Sequence, residues 1–128
     1  MGNRDLQIDA KNYGIGRVYC SFVCTTNGGS APLLTTVDGA DVVASISRSS
    51  AGVLVFTLKD SYPKVVFASA DIDDAAGTGE YATVRVTATS PVTLTVTTRA
   101  VAGAATDYAG RALYVNLEFK NSNMTQMK

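Results

Sequence analysis

The chain has 128 residues, 46% hydrophobic and 17% charged, with eleven basic and eleven acidic residues that cancel. That is enough chain for one domain with a real core, and too apolar for a disordered segment. With no Lys/Arg cluster, binding of nucleic acid through a basic face is not expected, and zero net charge suits a subunit that associates.

No apolar run approaches the roughly 18 residues that span a bilayer, so no membrane partner is expected. The N-terminal residues Met1-Gly-Asn-Arg-Asp-Leu-Gln-Ile-Asp lack the apolar stretch of a secretory signal, which implies synthesis and folding in a cytoplasm. Residues 1–15 are polar and aperiodic and read as an extended arm; 16–121 read as the folded domain and 122–128 as a polar tail.

The first strand is expected over 16–25 and holds both cysteines, Cys20 and Cys24. At about 3.3 Å per residue they sit about 13 Å apart on a strand, beyond the roughly 7 Å a disulfide allows, so both are expected as free, buried thiols. A zinc site would need two more ligands, and the chain has no histidine. After the loop Asn27-Gly-Gly-Ser-Ala-Pro32, residues 33–37 read as a short strand or edge segment, and Asp38-Gly39 as a turn. Strands follow over 42–48 and 53–59, joined by the hairpin turn Ser49-Ser-Ala-Gly52, and over 64–72 after the turn Asp60-Ser-Tyr-Pro63.

The clearest periodicity lies over 81–99. Ala82, Val84, Val86 and Ala88 alternate with Thr83, Arg85 and Thr87; beyond Pro91, Val92, Leu94 and Val96 alternate with Thr93, Thr95 and Thr97. A period of two marks half-buried antiparallel strands. Residues 101–110 are small and read as a mobile loop, and 111–120 close the fold with Leu113, Val115, Leu117 and Phe119 inward. No segment carries a helical period. Seven or eight short strands predict an all-β antiparallel sandwich, jelly-roll-like or Greek key. Its expected core is Val84, Val86, Leu94, Val96, Leu113, Val115, Leu117 and Phe119, joined by Ile46, Phe56 and Phe67.

Chemistry is sparse. Without histidine, Ser-His-Asp and Cys-His catalysis is impossible, no other nucleophile motif stands out, and the chain reads as no enzyme. The acidic stretch Asp71, Asp73, Asp74 and Glu80 fails the EF-hand pattern at Ala75, Ala76 and Ala82, which leaves either a looser calcium site or a solvated loop. No cofactor is expected, because the glycines form no phosphate-binding fingerprint. Tyr81 and Tyr114 fall on polar strand faces, where tyrosine marks an interface or is covered by a loop. The arginines are spread singly, which suits interface pairing. Tyr13, Arg17, Tyr81, Arg85 and Tyr114 are therefore the candidate interface residues.

Val43-Ala-Ser-Ile-Ser-Arg48, the turn to Gly52, and Val53-Leu-Val-Phe-Thr-Leu-Lys-Asp-Ser-Tyr-Pro63 resemble a hairpin of small structural proteins of tailed bacteriophages. The ending Tyr114-Val-Asn-Leu-Glu-Phe-Lys-Asn-Ser122 is similar too. Together these cover about a third of the chain; Phe56 departs from the pattern, and residues 1–30 show no such likeness. The resemblance implies a virion component, foremost a capsid decoration (cement) protein on the capsid surface, made in the host cytoplasm. It would bind the major capsid protein of the assembled head, as a homotrimer, and stabilise the shell. The alternative is a tail or fibre component that contacts a host receptor or glycan.

Overall fold

The computed structural model describes residues 17–39, 41–75 and 77–120; the expected arm and tail, and with them Tyr13, lie outside these residues. Seven strands run in chain order among the described residues: β1 Arg17–Asn27, β2 Val43–Ser50, β3 Val53–Leu58, β4 Lys64–Ile72, β5 Tyr81–Thr89, β6 Val92–Arg99 and β7 Ala109–Lys120. They form two antiparallel sheets, ordered β1-β7-β4 and β2-β3-β6-β5. The protein is an all-β sandwich, as the alternation requires.

Consecutive strands pair only in the β2–β3 and β5–β6 hairpins; β1–β7, β4–β7 and β3–β6 are crossover neighbours of Greek-key type. If β1 is counted after β7, the order matches that of a constant-type immunoglobulin sandwich, so the topology is a circular permutation of it. That likeness concerns strand order and carries no function.

The core lies between the sheets. Phe22 of β1 meets Phe56 of β3 across the interface, ring centroids 5.3 Å apart at 47°. Leu113, Val115, Leu117 and Phe119 of β7 are buried, as are Leu94 and Val96 of β6, as the alternation of those strands predicts. Val84, Val86 and Ile46 are only partly buried, because β5 and β2 are the edges of the four-stranded sheet. Phe22, Val43, Leu54, Leu58, Ile72 and Val92 complete the core. Cys20 and Cys24 are free and buried. Burial pushes the Cys24 thiol up to about 12 and raises that of Cys20 as well.

Phe67 is not a core residue; it is 54% exposed. In β4, Val65 pairs with Phe119 but Phe67 pairs with Glu118, so β4 spends one residue more than β7 between these pairs. That bulge at Val66 reverses the alternation and turns Phe67 outward. The segment expected as a strand over 33–37 is instead a single 3-10 turn, Leu34–Thr36, followed by a bridge from Asp38 to Val23 that covers part of the β1 edge.

The loop before β7, expected to be mobile, is tied at many points. Asp107 accepts hydrogen bonds from Arg48 Nε at 3.1 Å and Nη2 at 2.7 Å, and from the Gly52 amide at 2.8 Å. The Arg48 guanidinium and that amide hold the Asp107 carboxyl below its ordinary value. The Thr98 hydroxyl, although buried, donates to the Thr106 carbonyl at 2.7 Å, and the Thr106 amide returns a bond to the Thr98 carbonyl at 2.9 Å. These contacts fasten the β2–β3 turn, β6 and the loop together at one end of the sandwich.

Candidate interaction surface

The outward face of the three-stranded sheet is organised in rows, because antiparallel partners share a face. The first row is Arg17, Lys120 and Lys64; the second Tyr19, Glu118 and Phe67; the third Ser21, Asn116 and Ser69; the fourth Val23, Tyr114 and Asp71. Tyr19 is 63% exposed and Phe67 54%, and they stand on either side of Glu118. Between them lies an open depression of about 330 Å³ lined by Tyr19, Ser21, Phe67, Asn116 and Glu118, with backbone neighbours Cys20 and Leu117.

Three cations in one row would repel one another unless anions approach. Arg17 is paired with Glu118, which bends from the second row toward it. Among the described residues, Lys64 and Lys120 have no carboxylate within ion-pair distance. Arg17 Nε is shielded from solvent and finds no acceptor among the described residues. The surface is thus an apolar cleft with a neutralised floor and a positive rim. It can hold an apolar side chain and an adjacent carboxylate.

Of the residues expected at an interface, Arg17 and Tyr114 belong to this face. Tyr81 and Arg85 do not: they lie on β5, on the outward face of the opposite sheet, where they pair with Arg99 and Thr95. The sandwich separates the two groups by its whole thickness. Tyr19, Phe67, Lys64 and Lys120 join Arg17 and Tyr114 on this face although no motif in the sequence marks them. Counting alternation back from the buried Cys20 places Tyr19 outside, whereas Phe67 requires the bulge, which no local signal in Lys64-Val-Val-Phe67 announces.

The acidic loop is engaged with its own chain. Asp74 accepts from the Gly79 amide at 2.8 Å and the Thr78 amide at 3.2 Å, and the Gly79 bond foremost lowers its pKa. Glu80 pairs with Arg111, whose guanidinium also lies 4.8 Å from the centre of the Tyr108 ring and donates to the Asp73 carbonyl at 3.1 Å. Among the described residues no three Cys, Asp or Glu side chains converge as a metal site would require. No helix among them is long and apolar enough to cross a membrane.

Comparison with protein-family models, curated proteins and solved structures returns no match.

Proposed function

We propose that this chain is a non-enzymatic structural protein of a bacteriophage virion, a capsid decoration protein that binds the assembled head as a trimer and stabilises it. The observation that carries the reading is the outward face of β1-β7-β4, with exposed Tyr19 and Phe67 flanking a cleft and Lys64 and Lys120 at its rim. Aromatic anchors beside polar and charged groups are what an interface with another protein needs. The resemblance of residues 42–63 and of the last strand to phage structural proteins supplies the kind of partner, the major capsid protein.

The rest of the molecule is consistent in its chemistry. There is no histidine in the chain. The strongest polar constellation, Arg48 with Asp107 and the Gly52 amide, is spent on holding loops together. A trimer on a shell meets local three-fold points with three identical contacts, so that individually weak contacts sum to firm binding. The test is the abundance of the protein in purified virions relative to the major capsid protein. Hundreds of copies support shell decoration. A handful of copies, confined to the tail, would place it as a tail or fibre component that contacts a receptor or glycan.

A further inference from the structure

We infer that the cleft between Tyr19 and Phe67 receives residues 5–9 of a second copy of this chain. The inference rests on the self-association in the reading above and names the surfaces that would carry it. Three observations converge on this occupant.

The first is chemical match. The segment Asp5-Leu-Gln-Ile-Asp9 carries two apolar side chains flanked by two carboxylates. The cleft offers apolar walls, and its rim offers Lys64 and Lys120 without a carboxylate partner among the described residues. With Ile8 between Tyr19 and Phe67, Asp9 comes within reach of the lysines one row away. The second is position. β1 begins at Arg17, in the row next to the cleft, and sixteen residues precede it in the sequence. At about 3.3 Å per residue they reach up to about 50 Å, ample for a neighbouring copy. The third is the obstacle to self-filling. The Arg17–Glu118 pair stands between the start of β1 and the space between Tyr19 and Phe67, so the shortest return onto the same sheet runs over a closed ion pair. With a donor segment and an acceptor cleft on every copy, head-to-tail exchange fills every cleft when its rotation closes into a ring, as it does in a trimer.

Disulfide trapping on the full-length chain distinguishes the occupants. Mixing Ile8→Cys protein with Phe67→Cys protein under a mild oxidant should give a covalent dimer whose mapped bond joins one chain of each kind. The native thiols are buried and compete poorly. Absence of that dimer overturns the inference, as does a double variant that closes only within single chains, which would show self-filling. As a second readout, Lys64→Glu with Lys120→Glu should weaken self-association about tenfold, and Asp9→Lys in that background should restore part of it. Unchanged association in the charge-reversed protein also overturns it. If trapping fails while the protein still decorates heads, the decoration reading stands and only this contact falls.

Discussion

The Tyr62 ring stacks on Phe119, centroids 4.6 Å apart and planes within 9°. Tyr62 belongs to the turn that follows β3, and Phe119 to the last strand, so the two segments that carry the phage-protein resemblance are packed on each other. The turn is further pinned where the Tyr62 amide donates to the Thr89 carbonyl at 3.0 Å and the Val92 amide to the Asp60 carbonyl at 3.1 Å. One short motif thereby joins β3, the β5–β6 turn and β7 across both sheets. Phe119→Ala, which removes a fully buried ring and with it the stack on Tyr62, should cost roughly 3–5 kcal/mol in urea unfolding. Tyr62→Phe keeps the stack and should cost less than about 1 kcal/mol.

Gly52 has the tightest surroundings of any described glycine. Its φ is +72°, and an added Cβ would lie 2.4 Å from the Thr106 amide nitrogen and 2.8 Å from the Thr98 and Thr106 carbonyl oxygens. All three are backbone atoms in a hydrogen-bonded network and cannot step aside. Gly52→Ala should therefore destabilise by more than about 2 kcal/mol, and limited proteolysis should cut first within residues 100–108.

Leu117 and Phe67 give opposite responses although both lie in the three-stranded sheet. Leu117 is buried, and Leu117→Ala should cost roughly 2–5 kcal/mol. Phe67→Ala should change stability by less than about 0.5 kcal/mol, because the ring faces solvent, while impairing association. A large stability loss at Phe67 would mean that the bulge is misplaced and the ring is inside.

The contrast shows what the residues disclose and what they do not. β6 and β7 are legible because every second side chain is apolar from Val92 to Val96 and from Leu113 to Phe119, and each has a strand on both sides. β4 is not, since Val65, Val66 and Phe67 fit either face and only pairing with β7 decides. Edge positions such as Val84 follow the same alternation as central ones, yet half their cover is missing. The 101–110 segment has the composition of a free loop, and its order comes from Asp107 and Tyr108 reaching Arg48, Gly52 and Gly28 far away in sequence, and from Thr106 pairing with Thr98 of β6. The aromatic cleft was hidden for a related reason: Tyr19, Glu118 and Phe67 come from three strands and meet only through register.

Stability should fall in alkali. Burial first of all raises Tyr62 from 10.0 to about 12 and Cys24 from 9.0 to about 12. Both groups stay protonated in the native state at a pH where the unfolded chain has begun to release those protons. Their contribution is therefore fully present below about pH 9 and lost as pH rises through about 12. Urea midpoints measured at a series of pH values should be flat up to about pH 9 and decline beyond it, and Cys24→Ala should make that decline shallower. A midpoint that rises between pH 9 and 11 would contradict the burial of these groups.

Binding to undecorated phage heads tests the central claim most directly. Purified protein should self-associate, as a trimer by light scattering. On mixing with heads it should saturate at a fixed ratio to the major capsid protein and raise the temperature at which the heads lose their DNA. Phe67→Ser should lower that binding with the fold intact. A well-folded protein that leaves heads unbound and no more stable, at concentrations where it self-associates, would contradict the account.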